Sequence, residues 1–338
     1  MKDLIIIGNE KISYKNSLFH SANVDFQTIV KGLSQYFNVT LISRLSTEKQ
    51  IFPIHHNKIV LASNILIFAL NILLSFKNIR KNKYLIISIS PYTFFSFLIL
   101  FLFSNEIYLY LRSNGFKEYE KILGNKWVFL YSFMYFFFLK KAKIISCEKS
   151  LVKKKFFLVH PSELNETWFK KRKKITFNNK INIIYVGRIR VEKGILDFID
   201  LFSKLKKKFR LTIIGDRYNN KFNIKNVHYL NFFSNIKLLI NEYDKNHILI
   251  LPSYTESHPK VVYEALARLR PVLIFEDIEH IIKNTKGIFS CKRNADDILK
   301  KINYILKNYR SIQKQILINK LPNKNSFIKE LFEAITSN

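Results

Sequence analysis

Two short segments hold most of the side chains that could do chemistry. The first is Tyr185-Val186-Gly187-Arg188-Ile189-Arg190-Val191-Glu192-Lys193-Gly194, an apolar run that ends in glycine and is followed by cations. A glycine at a strand end lets the backbone turn sharply. The loop after a parallel strand is where α/β sheets bind ligands. Arg188, with its planar fork of donors, and Lys193, a point charge, suit a diphosphate in such a loop. The competing reading is a pair of solvated loop charges. The second segment is Pro252-Ser253-Tyr254-Thr255-Glu256-Ser257-His258-Pro259-Lys260-Val261-Val262-Tyr263-Glu264-Ala265, directly after the apolar run Ile248–Leu251. Pro259 reads as an early helix position. That would aim the backbone N–H groups of His258, Lys260 and Val261 into a crevice as an anion site. Glu256 falls before the helix and Glu264 inside it, and either carboxylate could accept hydrogen bonds from sugar or ribose hydroxyls. Glu264 could also be an ordinary surface helix residue. Against that, it stands within Val261-Val262-Tyr263-Glu264-Ala265-Leu266, where an unpaired charge is costly.

Other chemistries find less support. No Asp-X-Asp occurs, and the histidines and cysteines lack zinc-ligand spacing. His20 and His160 are isolated and read more readily as structural or surface residues. Cys147 and Cys291, the only cysteines, lie far apart, which argues against a disulfide framework and for a reducing compartment.

The elements that must position these residues follow one rhythm in both halves. Continuous apolar runs at Leu4–Ile7, Val39–Ile42, Leu85–Ser88, Ile107–Leu111, Ile144–Ser146 and Phe156–Val159 predict strands. Helices are expected at Val24–Gln35, Ile65–Lys77, Thr93–Phe103 and Lys126–Leu139. The second half repeats the pattern, with strands at Ile181–Val186, Arg210–Ile214, Val227–Leu230, Ile248–Leu251, Val272–Ile274 and Gly287–Phe289. Helices are expected there at Gly194–Lys207, Ser234–Tyr243, Pro259–Arg268 and Asp296–Asn308. Strands without polar alternation, interleaved with helices, predict an α/β protein with parallel sheets covered on both faces. The polar stretch Leu164 to Lys180, with Lys170-Lys171-Arg172-Lys173-Lys174, reads as the linker. The expected domains are 1–170 and 176–310, with a helical segment over 311–338.

The length of 338 residues fits two domains. With 48% hydrophobic and 24% charged residues the chain is globular in composition and not disordered. Its 56 Lys and Arg against 25 Asp and Glu give +31, which favours anionic partners. No nucleic-acid-binding motif accompanies that charge, so nucleic acid is not an expected partner. The uncharged stretch Tyr84 to Phe103 is long enough to cross a bilayer. Ser88, Ser90, Pro91, Thr93 and Ser96 instead divide it into a buried strand, a Ser90-Pro91-Tyr92 turn and a core helix. The Phe-rich segments Phe94 to Phe103 and Phe129 to Phe138 suit docking on an anionic bilayer. So do Lys58, Lys77, Arg80, Lys81, Lys83, Lys140, Lys141 and Lys143. An aromatic core beneath an ordinary solvated face is the equal alternative.

Together the two chemical segments resemble the retaining nucleotide-sugar glycosyltransferases of family 4. That pattern is a strand, Gly-Arg, then Glu-Lys-Gly and a helix, followed later by Leu-Pro-Ser and two glutamates with seven residues between them. Arg188, Glu192, Lys193 and Gly194 fit the first part, and Glu256 and Glu264 the second. Ala265-Leu266-Ala267 and Pro271-Val272-Leu273 are also similar to the family. The resemblance implies a GT-B fold of two facing Rossmann-like domains, with the donor bound in the second. It implies that Arg188 and Lys193 hold the donor diphosphate and that Glu256 faces the donor sugar. Glu264 would then meet the ribose, the His258–Val261 segment would meet sugar or phosphate, and Phe232 would lie by the base. It further implies a metal-independent hexosyl- or N-acetylhexosaminyl-transferase, with no cofactor and a UDP-sugar as donor. The implied acceptor is a polyprenyl-diphosphate-linked saccharide of O-antigen, lipopolysaccharide or capsule assembly, used at the inner face of the cell membrane. Two departures stand out. Gly8-Asn9-Glu10 replaces the usual Gly-Gly pair, and the family's usual histidine gives way to Arg112-Ser113-Asn114.

Overall fold

A computed structural model describes residues 1–56, 58–75, 82–104, 106–172, 175, 180–205, 209–216 and 224–337. Lys77, Arg80, Lys81, Lys173, Lys174, Lys207 and the end of the predicted helix at 76–77 lie outside the described residues. Two compact units are present: Met1–Pro161 with Lys324–Asn338, and Ser162–Asn323. The chain therefore passes between units twice, at Pro161/Ser162 and at Asn323/Lys324, and residues 162–175 belong to the second unit.

In the first unit, β1 (Asp3–Lys15), β3 (Asn38–Leu45), β5 (Ile59–Ala62), β6 (Lys83–Ile87), β7 (Ile107–Leu111), β8 (Lys143–Ser146) and β9 (Phe156–Leu158) form a parallel sheet. Their order is β5-β3-β1-β6-β7-β8-β9. The runs Leu4–Gly8, Lys83–Ile87 and Ile107–Leu111 are buried throughout, as strands covered on both faces require. Helices α2 (Ile65–Leu74), α3 (Pro91–Phe103) and α5 (Asn125–Lys141) cover one face, with Phe68, Phe97 and Phe138 inward. Helices α1 (Val24–Leu33) and α12 (Lys324–Thr336) cover the other, where Phe26, Ile29 and Leu33 meet Phe327, Leu331 and Ile335. At Gly32 a Cβ would sit 2.5 Å from Ile328, so glycine permits the close approach of α1 and α12.

The uncharged stretch divides as expected into strand and helix. Ser90 caps α3: its Oγ accepts from the Thr93 amide at 3.3 Å, and Thr93 Oγ1 accepts from the Ser90 amide at 2.9 Å. The helix starts at Pro91, two residues earlier than expected, because this reciprocal cap leaves the missing proline N–H without consequence. No helix among the described residues is long and apolar enough to cross a membrane.

Residues 11–23, which lack glycine, hold a structure the sequence pattern did not reveal. Strand β1 continues past a register shift between Ile7 and Lys11, then turns back into β2 (Leu18–Ser21) through Asn16 and Ser17. Both turn residues have positive φ, 51° and 60°, the backbone twist that a two-residue hairpin requires. Strand β4 (Phe52–Ile54) pairs antiparallel with β2. Helix α4 (Gly115–Leu123), also not foreseen, is capped by Asn114, whose Oδ1 accepts from the Lys117 amide at 3.2 Å.

Lys83, expected on a solvent-facing basic patch, is buried. Its Nζ donates to Glu106 Oε2 at 2.5 Å, to the Tyr108 hydroxyl at 3.1 Å and to the Ile335 carbonyl at 2.9 Å near the C-terminal end of α12. A cation there satisfies an orphan carbonyl and the helix dipole together. Lys143 also lies within 3.6 Å of Glu106 Oε1.

In the second unit, β10 (Ile181–Val186), β11 (Phe209–Gly215), β12 (Val227–Asn231), β13 (Ile248–Leu251), β14 (Val272–Phe275) and β15 (Ile288–Cys291) run parallel in the order β12-β11-β10-β13-β14-β15. They alternate with α7 (Ile195–Ser203), α8 (Ile236–Lys245), α9 (Lys260–Ala267) and α10 (Ala295–Lys307). The short α6 (Glu166–Phe169) precedes this sheet and α11 (Tyr309–Ile316) follows it. Successive strands step outward from β10 in one direction and from β13 in the other. The β10/β13 gap is thus the topological switch point, where open α/β sheets bind ligands.

The Glu106 cluster carries a pH signature. Burial alone would raise the Glu106 carboxyl. Hydrogen bonds from Lys83 and Tyr108, together with the charges of Lys83 and Lys143, outweigh it and hold the group below the ordinary glutamate range. A depressed carboxylate stabilises the fold above its unfolded pKa, and that stabilisation is lost as pH falls through the folded value. Glu106→Gln is therefore expected to lower Tm at pH 7, with the gap from wild type closing below about pH 4. Thermal melts across that range check it, and a pH-independent gap would contradict the assignment.

Candidate active site

The loops leaving β10 and β13 are joined at the switch point. A single 3-10 turn over Val191–Lys193 ends at Gly194, whose φ of 60° starts α7 from the left-handed region. A Cβ at Gly194 would lie 2.2 Å from the Pro252 carbonyl oxygen, so the two loops touch backbone to backbone. The Tyr254 amide donates to the Glu192 carbonyl at 3.0 Å. Across this junction Lys193 Nζ bonds Glu256 Oε1 at 2.6 Å, and Ser253 Oγ donates to the same oxygen at 2.8 Å. Both partners are mostly buried, with 20% and 12% of their side chains exposed. The His280 ring bonds the Glu256 carbonyl through Nε2 at 2.8 Å.

Arg188 lies on the same loop as Lys193 but is exposed, and its guanidinium forms no ion pair among the described residues. Its carbonyl accepts from the Tyr185 hydroxyl at 2.7 Å. Burial, and then the charges of Glu256 and Asp216, hold that hydroxyl far above the tyrosine range, so it remains a donor. Arg190 is tied down by contrast: its Nη2 bonds Asp216 Oδ2 at 3.0 Å, while Asp216 Oδ1 accepts from the Ile189 amide at 2.6 Å. Arg217, the next residue of that loop, lies outside the described residues.

Helix α9 begins at Lys260. Pro259 is its cap, with an extended ψ of 108°, rather than an early helix position, and no side chain caps the helix. The first-turn amides are therefore those of Lys260 and Val261, and His258 precedes them. Its ring stacks on Tyr263 with centroids 4.6 Å apart. Lys260 Nζ turns toward Glu163 Oε1, at 3.6 Å. Glu264 is buried and faces α8, where the Tyr243 hydroxyl donates to its Oε2 at 2.9 Å. Burial first, then the charge of Glu264 and its hydrogen bond, keep Tyr243 protonated well above the ordinary range. Phe232 follows β12, half-buried against the core, with its amide on the Gly215 carbonyl at 3.0 Å. The structure thus brings Lys193 and Glu256 into direct contact. Arg188, Glu264, His258, Lys260, Val261 and Phe232 make other contacts of their own in the same unit.

The sequence pattern did not reveal a buried charge cluster at the ends of α8 and α9. Arg268 and Arg270, at 1% and 0% exposure, converge on Asp244. Arg268 makes a two-pronged bond to it, 2.9 Å through Nε and 2.6 Å through Nη2, and also donates to the carbonyls of Trp168, Lys170 and Lys171. Arg270 donates to the carbonyls of Tyr243, Arg268 and Asp244. The available signal was two arginines inside the otherwise apolar run 265–275, where a charge needs a partner.

At the corresponding edge of the first unit, the switch point lies between β1 and β6. Arg112 Nη1 pairs there with Asp25 Oδ2 at 3.2 Å, and its Nε donates to Ser88 Oγ at 3.3 Å. Asn114 is occupied in capping α4. His160 is held by Glu330 on α12 through its amide, at 2.6 Å, and its Nδ1, at 3.0 Å.

Residues 166–320 match the family described as glycosyl transferases group 1. A curated relative is the N,N'-diacetylbacillosaminyl-diphospho-undecaprenol alpha-1,3-N-acetylgalactosaminyltransferase of Campylobacter jejuni, 29% identical over 166 residues. That match takes in 46% of this chain and 43% of the relative, so the chain spans less than half the length of the relative it matches. Among solved structures, sucrose-phosphate synthase from Thermosynechococcus elongatus superposes with a TM-score of 0.75 over 98% of both chains at 12% identity. WaaG, a glycosyltransferase involved in lipopolysaccharide biosynthesis, gives 0.68 over 99% of this chain and 100% of its own at 14% identity. Anabaena Alr3699/HepE, in complex with UDP and glucose, gives 0.68 over 99% of each chain at 11% identity. The chain has the GT-B fold.

The junction at Gly194 makes a local prediction for this domain. Gly194→Ala places a Cβ against a backbone carbonyl at a positive φ, a strain of about 1–3 kcal/mol before the clash is counted. The variant is expected to melt earlier and to lose the Lys193–Glu256 contact. A crystal structure of it retaining that contact at its present length would contradict the assignment.

Proposed function

We propose that the chain is a retaining glycosyltransferase that moves a hexosyl or N-acetylhexosaminyl group from a UDP-sugar to a polyprenyl-diphosphate-linked saccharide. The observation that carries the reading is the Lys193–Glu256 bond across the β10/β13 switch point, beside the side-chain-free N-terminus of α9. An ammonium already fixed there, with the exposed Arg188 on the same loop, suits the two phosphates of a nucleotide diphosphate. The α9 amides of Lys260 and Val261, with His258 ahead of them, supply further donors for phosphate or sugar oxygens. Glu256 faces the transferred sugar, Glu264 the ribose and Phe232 the base. The Campylobacter relative, whose name gives a diphospho-undecaprenol acceptor, supports the acceptor class.

The reaction needs little from the protein beyond charge. The bond from the sugar anomeric carbon to the β-phosphate oxygen breaks, and its electron pair leaves with the phosphate. The acceptor hydroxyl oxygen bonds to the same carbon from the same face, and its proton passes to the departing phosphate oxygen. Arg188 and Lys193 stabilise the charge that develops on that oxygen, which is where preorganised electrostatics contribute most.

Mass-spectrometric turnover of a UDP-sugar panel with a lipid-diphosphate saccharide acceptor tests this. Lys193→Ala and Arg188→Ala are each expected to lower kcat/KM by about 10²- to 10³-fold. Glu264→Ala is expected to weaken donor binding, and a chelator to leave the rate unchanged. Unaltered turnover in Lys193→Ala would overturn the site assignment, and loss of activity on chelation would overturn the metal-independent reading.

A further inference from the structure

Apolar exposure is unevenly placed on this protein. The three helices that cover one face of the first unit's sheet carry large hydrophobic side chains outward as well as inward. Leu66 and Leu70 on α2 are 78% and 52% exposed, Leu102 on α3 is 74% exposed, and Phe129 and Phe136 on α5 are 79% and 56% exposed. Their inward neighbours Phe68, Phe97, Met134 and Phe138 are buried in the core beneath. Helix α3 packs against both α2 and α5, so these outward residues form one surface. A helix that is apolar on both faces has found only half of its burial.

The chemistry of the surface names what completes it. Helices α2, α3 and α5 contain no acidic residue, and α2 and α3 contain no charge at all. Along one side of α5 the exposed residues Lys126, Phe129, Phe133, Phe136 and Lys140 form a helical stripe of aromatics with an ammonium at each end, about 21 Å long. Lys140 Nζ lies over the rings of Phe136 and Phe137, 4.7 and 5.2 Å from their centroids. Lys141 Nζ folds back to the Phe101 carbonyl. Cations held at the margin of an aromatic stripe, with their stems along the apolar surface, match the acyl-to-headgroup boundary of a bilayer. Trp127, half exposed at the start of α5, stands where interfacial tryptophans stand. No helix among the described residues is long and apolar enough to cross a membrane.

We infer that α2, α3 and α5 form a monotopic lipid-docking face whose apolar side chains enter the acyl region, so that membrane attachment is hydrophobic and not merely electrostatic. This rests on the lipid-linked acceptor reading for its purpose but not for its measurement. Flotation of the full chain with vesicles of phosphatidylcholine, alone or mixed with phosphatidylglycerol, decides it. The protein is expected to float with both kinds and to stay bound in high salt. The intrinsic fluorescence should shift to the blue, because Trp127 enters lipid while the only other tryptophan, Trp168, is buried at 1% exposure in the second unit. Phe129→Ser with Phe136→Ser, both exposed and so neutral to Tm, should lower vesicle partitioning by about tenfold or more. The same variant should turn over a UDP-sugar normally with a water-soluble acceptor, which separates loss of docking from failure of the transferase reading. Binding to anionic vesicles alone, released by salt, would overturn the proposal in favour of electrostatic adsorption. So would no flotation together with a lipid-free dimer that the double variant dissociates, which would assign the face to a second copy.

Discussion

The contact on which the candidate site of the second unit depends is a backbone one, between Gly194 and the carbonyl of Pro252. Two loops that leave adjacent strands of a parallel sheet normally diverge toward helices on opposite faces. Here they are pressed together where the strand order reverses, and only a residue without Cβ, able to hold a φ of 60°, allows it. Everything polar at the junction follows from that approach. The Tyr254 amide reaches the Glu192 carbonyl, Lys193 reaches Glu256, and Ser253 completes the carboxylate. The ion pair is thus a product of main-chain geometry and not its cause. Two mostly buried charges gain in attraction what they lose in hydration only when geometry is good and further hydrogen bonds are present.

A second set of charges ties together the ends of α8 and α9 that lead into β13 and β14. Asp244 sits at the C-terminal turn of α8, and Arg268 and Arg270 follow the end of α9. Joining them holds the two helices at a fixed depth, and the same α8 turn presents Tyr243 to Glu264. Removing one member of such a buried group strands the others, at a cost on the order of 3–5 kcal/mol. Arg268 also gathers the carbonyls of 168, 170 and 171, so the stretch that reads as a free linker is fastened onto the second unit. Its lysines made it look solvated, but its carbonyls are what the fold uses.

What the sequence disclosed and what it hid divide along the range of the forces involved. Buried parallel strands reveal themselves as apolar runs, and the Leu4–Ile7, Ile181–Val186 and Ile248–Leu251 strands were all legible. The split of Tyr84 to Phe103 was also legible, because Ser90, Pro91 and Thr93 encode a cap within four residues. The hairpin at Asn16 and Ser17 was hidden because neither turn residue is glycine, and β2 finds its further partner β4 more than thirty residues on. The match of Glu192, Lys193, Gly194, Glu256 and Glu264 to a known pattern gave the site its outline. Its wiring was beyond reach. Nothing in spacing says that Glu264 takes its partner from Tyr243, that Lys260 turns to Glu163, or that Lys83 is buried and not exposed, since each depends on contacts between distant elements.

Helix α12 carries a consequence for the order in which the protein can be made. Phe327, Leu331 and Ile335 are part of the first unit's core, and Lys83 on β6 holds the carbonyl at the far end of the same helix. These residues emerge from the ribosome only after the whole of the second unit. The first unit, though translated first, therefore waits with the α12 side of one sheet face and the facing α1 surface uncovered while the second unit folds. Chains that fold during synthesis ordinarily complete their leading domain first. Here the leading domain closes last, and the unit that carries the Lys193–Glu256 junction is the one able to finish early.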